Sequence, residues 1–258
     1  MDCAAEYNEK FDEILSLVDL AEDDEHPLSH VQMNAVCRSG LVLLCGYFEG
    51  YLREMCKEFV ERLNDATLSA KKLPTSILSE HSLHCLEKFQ KKDFQPFSRF
   101  VLALSEDGTI DLNPKKLSAT NANPTVDNLE RLFSNFDMPL ILDRLTLEDF
   151  EVDEMYNFES HVHPSMFSSI SSVVGGDPDN RDEIIRLIEE KWPSKRKRRR
   201  VGYIALIDEL LKKRNRIAHG EGEVAIATSD LREFTVSVRA LCSKLSSILD
   251  SKLNHLIS

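Results

Sequence analysis

The sequence predicts an all-α fold, a helical bundle with inserted loops, and three observations carry that expectation. Val/Ile/Thr alternation is nearly absent along the chain. Glycine and proline, the residues that punctuate turn-rich β folds, are sparse at nine each in 258 residues. Several long segments repeat apolar residues every three or four positions, the period of a helix buried on one face.

Taken in order, residues 6–20 place Phe11, Ile14, Leu15 and Val18 at helical spacing. The acidic linker AEDDEHP follows. A second helix is predicted from residue 28 or 29 to about 64. Its middle, LVLLCGYFEGYLREMCKEFV, is apolar round most of its circumference, so it belongs at the centre of a bundle. Gly46 and Gly50, four apart there, predict close approach of another helix, because a mid-helix glycine costs about 1 kcal/mol relative to alanine. Residues 74–91 and 94–104 read as shorter helices, and 105–123 as a loop rich in Asn, Asp, Pro and Lys. TVDNLERLFSNF is a further helix with Pro124 at or near its first turn. Residues 140–167 give no clear pattern. VVGGDPDN is a turn cluster, after which Asp179 or Asn180 is placed to cap a helix over 181–191. The basic run KRKRRR then leads into a helix over 201–218. The last helix starts near Ser229 or Asp230, where Asp230 and Glu233 have capping-box spacing, and runs almost to Ile257. No internal repeat is visible.

The length fits one large domain or two small ones, and a 42% apolar fraction supplies a core. The first residues lack the basic and apolar regions of a signal peptide. The longest apolar run, residues 41–45, is far too short to span a bilayer. Six cysteines (Cys3, Cys37, Cys45, Cys56, Cys85 and Cys242) show no paired spacing, which predicts buried reduced thiols and a cytoplasmic protein. A net charge of −12 argues against a polyanionic partner until its distribution is considered. Residues 195–216 hold ten Lys/Arg against two acids, Asp208 and Glu209, leaving 22 against 42 elsewhere out of 32 and 44 in all. One basic segment therefore sits on an acidic body, and local field decides where a polyanion docks.

That segment ends in LLKKRNRIAHGEGE. Residues four apart share a helix face, which puts Asn215 beneath His219, placed to orient the imidazole. Arg214 lies five before His219, about 140° round the helix, within reach only through a long side chain. A guanidinium grips phosphate bidentately, and a histidine near neutral pH carries a proton. These are the parts needed to cleave RNA through its own 2′-OH, with no metal or other cofactor. Such a cleavage needs a base and an acid, whereas the motif has one histidine. A symmetric homodimer bringing two Gly220 ends together supplies both. The same residues also fit an ordinary helix end, where basic side chains complement the dipole and glycine stops the helix.

RNRIAHG resembles the R-N-x-x-x-H signature of the HEPN superfamily. LVLLCGYFEGYLREMCKEFV is similar to the long second helix of its RiboL-PSP-type prokaryotic branch, and NANPTVDNLERLFSNF resembles that branch's N-P-T-x-D-N-[IL]-x-x-L-F segment. The resemblance implies one HEPN-type helical domain over 1–258, with an insert of shorter helices at about 65–195 between the long N-terminal helices and the motif helix. It implies a dimeric, metal-independent ribonuclease of toxin–antitoxin or phage-defence systems, with an antitoxin or defence protein as a further partner. Arg214 and His219 are then catalytic, Asn215 supports them, and Glu49 in YFEGYL is an acidic residue facing the site. Some HEPN domains keep the fold without the activity, so an RNA- or protein-binding module is the alternative.

KRKRRR departs from the family pattern. Lys195, Arg196, Lys197, Arg198, Arg199 and Arg200, with Lys213 and Arg216, are the candidate RNA contacts. A solvated charged loop and a nuclear-localisation-like signal are the other readings of the run. Only Trp192 and Tyr203 flank it, so base stacking is not indicated. His81, His84 and Cys85 offer three metal ligands from one helix without a fourth nearby. His161 and His163 lie in a loop-like segment, and Asp149, Glu151, Asp153 and Glu154 suggest an acidic face. No Gly-rich phosphate loop, HExxH or GxSxG is present.

Overall fold

The computed structural model describes residues 2–120, 123–149, 202–220 and 224–258, and among them every regular element is helical. The helices are α1 (Cys3–Ala21), α2 (His30–Asp65), α3 (Thr75–Gln90), α4 (Gln95–Glu106), α5 (Pro114–Leu117), α6 (Val126–Ser134), α7 (Ile141–Asp149), α8 (Gly202–Ala218) and α9 (Thr228–Ile257). A single bridge, Ser69 to Thr109, is the only β pairing among the described residues. The all-α expectation stands. No helix there is long and apolar enough to cross a membrane. The chain forms two compact units, Met1–Pro139 with Leu210–Ser258, and Leu140–Glu209.

The first unit is built round α2. At 36 residues it spans about 54 Å at 1.5 Å per residue. Ser29 starts it with a reciprocal capping box: its hydroxyl accepts from the Gln32 N–H at 3.3 Å, and the Gln32 side chain accepts from the Ser29 N–H at 3.0 Å. From Cys37 to Leu63 it buries residues at three- and four-residue steps, with Phe48, Tyr51, Met55 and Phe59 at most 2% exposed. Removing one such aromatic costs about 3–5 kcal/mol.

Two helices cover that surface. Arg232 on α9 binds Asp19 and Glu22 near the end of α1, both at 2.8 Å, and Arg239 binds Asp12 nearer its start at 2.7 Å. Helices α1 and α9 therefore run antiparallel. Gly40 packs on Leu231 while Arg62 reaches Asp250, so α2 and α9 run parallel. Tyr51 fixes the register, donating its hydroxyl to the Cys242 carbonyl at 3.1 Å while its ring meets Tyr7 edge-on at 5.3 Å.

The glycine expectation is half met. A Cβ on Gly50 would come within 2.5 Å of the Tyr7 hydroxyl, but one on Gly46 meets nothing within 4 Å. The second close approach is at Gly40, where Leu231 lies 2.7 Å from the position of a Cβ.

The remaining differences concern loops and helix starts. The loop expected over 105–123 contains α5, and the Asn64 side chain clamps its Leu112 backbone with two bonds of 2.9 Å. Pro124 directly precedes the cap of α6, near its first turn as expected. Thr125 is the cap, accepting from the Asn128 N–H at 3.2 Å, and the Asn128 amide folds back to the Asn123 carbonyl at 2.9 Å. Helix α9 starts at Thr228 with Ala227 as its cap residue and no side-chain bond there. The capping box expected from Asp230 and Glu233 does not form: the helix starts two residues earlier, and Asp230 lies inside its first turn, bonded to Lys213. In the second unit, α7 lies in the stretch that gave no clear pattern, and Tyr203 donates to Asp149 at 2.5 Å. The helix expected over 181–191 and its cap lie outside the described residues. All six cysteines are free thiols, and five are buried.

These contacts separate the two glycines of α2 experimentally. Gly50→Ala is expected to lower unfolding stability by about 1–3 kcal/mol through overpacking against Tyr7. Gly46→Ala is expected to leave stability unchanged or raise it by up to about 1 kcal/mol. Denaturant unfolding of both variants checks the pair.

Candidate functional site

The site forms where α8 stops. Leu210 and Leu211 are buried and anchor the helix, while its last turn emerges towards solvent. His219 is the first residue beyond the helix, and its N–H still bonds to the Asn215 carbonyl at 2.9 Å. Gly220 turns the chain in the left-handed region, with φ +66°, and donates to the Ile217 carbonyl at 3.2 Å. A side chain is disfavoured in that conformation, which suits glycine directly after the histidine, where the chain leaves the helix. The chain is then tied back: the Ile226 N–H donates to the Asn34 side-chain oxygen on α2 at 3.2 Å.

The imidazole of His219 is exposed, and no side chain among the described residues is hydrogen-bonded to it. Arg214 is half-buried. Its guanidinium donates to the Asn215 side-chain oxygen at 2.9 Å. Asn215 thus lies beneath His219, as the four-residue spacing requires, but its side-chain oxygen is engaged by the arginine instead of the imidazole. Arg214 also faces α2. Burial pushes the Cys45 thiol up to about 12, and the Arg214 charge works in the opposite direction. Glu49 is one turn along α2 from Cys45 and half-buried; it accepts from the Thr120 hydroxyl at 3.4 Å. No ion pair joins it to Arg214.

The candidate RNA contacts divide. Arg216 is exposed at the end of α8. Lys213 is committed within the fold: its ammonium pairs with Asp230 at 3.0 Å and lies 5.4 Å from the centre of the Phe234 ring. It joins the motif helix to α9. Lys195, Arg196, Lys197, Arg198, Arg199 and Arg200 lie outside the described residues, as do His161, His163, Glu151, Asp153 and Glu154.

Among the described residues no three of His, Cys, Asp and Glu are grouped to hold a metal ion. His81 and Cys85 meet instead at 3.4 Å, and the His84 ring contacts the Asn113 amide at 3.1 Å. Sequence reasoning missed Asn34, Cys45 and Thr120. Asn34, Cys45 and Glu49 do share one face of α2 at 100° per residue, a signal present in the helical phase.

The Lys213–Asp230 pair has a direct test. A double-mutant cycle with alanine at both positions is expected to give a coupling of about 0.5–1 kcal/mol, the range for a partly exposed ion pair. A coupling near zero would remove Lys213 as a link between α8 and α9.

A family model described as RiboL-PSP-HEPN matches residues 5–251. No curated protein and no solved structure matches the chain. The family match covers nearly all of the sequence, including α2, most of α9 and the helix end that carries Arg214, Asn215 and His219, and the chain belongs to the RiboL-PSP-HEPN family.

Proposed function

We propose that this protein is a metal-independent endoribonuclease of a toxin–antitoxin or phage-defence system, acting as a homodimer in the cytoplasm. The observation that carries the reading is the open end of α8, where a tethered Arg214 and an exposed His219 flank one helix terminus. Membership of the HEPN family supports it. The guanidinium of Arg214, aligned by Asn215, binds the non-bridging oxygens of the scissile phosphate and neutralises the charge that develops there. His219 of one copy takes the proton of the 2′-OH, whose oxygen attacks phosphorus. His219 of the second copy gives a proton to the departing 5′-oxygen. The products are a 2′,3′-cyclic phosphate and a 5′-hydroxyl.

The second copy approaches beside α2, bringing the two Gly220 ends together across a twofold axis. Val42 and Leu43 are 39% and 43% exposed on α2, and Gly46 faces open space, which suits an apolar contact there. Arg216 and the basic run at 195–200 contribute the RNA contacts. Glu49 acts at the edge of the site through Thr120. An antitoxin or defence partner acts on the assembled dimer. The six free thiols fit a reducing compartment.

A second reading is a HEPN module that binds RNA or protein without cutting. The engagement of the Asn215 oxygen by Arg214 favours it, since the imidazole then lacks a side chain to orient it.

Cleavage of RNA in the presence of EDTA, with cyclic-phosphate ends, is expected for the wild-type protein. His219→Ala is expected to lower the rate about 10²–10⁴-fold with helicity and unfolding midpoint preserved. Undiminished cleavage by that variant, or complete inhibition by EDTA, would overturn the nuclease reading. RNA binding without cleavage by the wild-type chain would establish the second reading.

A further inference from the structure

Many of the cations described in this acidic chain face a carboxylate. Lys10, Lys57, Arg62, Arg232, Arg239 and Lys252 each make an ion pair. Lys88, Lys91 and Lys115 do not, and they line one cleft between α3 and the start of α5, with a volume of about 400 Å³. Two contacts hold its walls together: Lys116 pairs with Glu87 at 2.6 Å, and the Asn113 amide meets His84 Nε2 at 3.1 Å. Among the described residues Glu87 is the only carboxylate lining the cleft, and Lys116 neutralises it, so the three remaining lysines leave the cleft cationic.

A second cavity of about 850 Å³ adjoins the first and shares His84, Asn113 and Lys115 with it. Its wall includes Phe100, Ile110 and Leu112, which are buried and apolar, together with the carboxylates Glu61, Glu106 and Asp111 and the cations Lys57 and Arg99. That volume is within the roughly 300–1,000 Å³ typical of small-molecule sites. A basic cleft opening beside a cavity with both apolar and carboxylate walls suits a ligand with an anionic group at one end and a flat ring carrying N–H donors at the other.

We propose that this paired cavity binds a nucleoside phosphate, with the phosphate on Lys88, Lys91 and Lys115 and the base beside Phe100 and Ile110. The nucleotide is either free or the 5′-phosphorylated end of an RNA strand. The site is separate from the end of α8, and its occupancy does not depend on the ribonuclease reading.

The test uses the full chain carrying His219→Ala, so that no RNA is consumed. Calorimetric titration compares the four nucleoside monophosphates, the corresponding nucleosides, inorganic phosphate, and a 2′-O-methyl hexamer with and without a 5′-phosphate. Binding of at least one monophosphate more tightly than its nucleoside and inorganic phosphate identifies the free nucleotide as a ligand. Preference for the 5′-phosphorylated hexamer over its hydroxyl form, without monophosphate binding, identifies the strand end. In either case Lys88→Gln with Lys91→Gln, both exposed, is expected to weaken binding by about tenfold or more. Lys10→Gln, on α1 and paired there with Glu6, is expected to leave it unchanged. A bound phosphate is also expected to raise the His84 pKa, which burial and the charges of Lys116, Lys88 and Lys91 hold below the usual histidine value. NMR titration reads that change. Equal affinity for monophosphate and inorganic phosphate, absence of binding by every probe, or binding that survives the double lysine variant would overturn the proposal.

Discussion

The structure of the first unit depends on the burial of α2. A helix of 36 residues that is apolar round most of its girth has to be wrapped on several sides, and short neighbours are not long enough for that. Helices α1 and α9 supply the length, and their approach requires small residues where backbones and rings come close. Gly50 makes room for Tyr7 and Gly40 for Leu231. The Tyr51 bond to the Cys242 carbonyl then sets how far α9 slides along α2. Once that register is fixed, the start of α9 lies beside the first half of α2, and the segment joining α8 to α9 is held there by Asn34.

The candidate site follows from this arrangement. Lys213 links α8 to α9 through Asp230, and Arg214, the next residue, is thereby turned towards Cys45 on α2. Gly220 stops the helix one residue after His219. Two adjacent cations thus do different work: one is spent on the fold, and the other is held at a helix end by Asn215. The imidazole is left exposed at the same helix end.

Much of the fold was legible in the sequence because helical periodicity records burial directly. The repeats of α1 and α2, the Ser29 start and the Gly220 stop all depend on local chemistry. What failed depended on partners distant in sequence. Asp230 and Glu233 have the spacing of a capping box, but the helix starts at Thr228, and Asp230 in its first turn pairs with Lys213. Gly46 and Gly50 look alike in sequence, and only the position of Tyr7 distinguishes them. At the site, the four-residue step correctly placed Asn215 under His219. The bond from Arg214 to Asn215 joins neighbours that a helical wheel sets about 100° apart, so it depends on side-chain rotamers that sequence spacing does not report. The basic cleft of α3 and α5 was hidden for a similar reason, since its lysines come from separate segments with no local signature.

The central claim is that one chain carries half of an active site, and mixing chains tests it most directly. Wild-type chains are co-expressed with an increasing excess of His219→Ala chains, and RNA cleavage is measured per wild-type chain. If two histidines from two copies are needed, mixed dimers are inactive and the activity per wild-type chain falls towards zero as the excess grows. Activity that stays proportional to the number of wild-type chains would contradict the account, because each chain would then carry a complete site of its own.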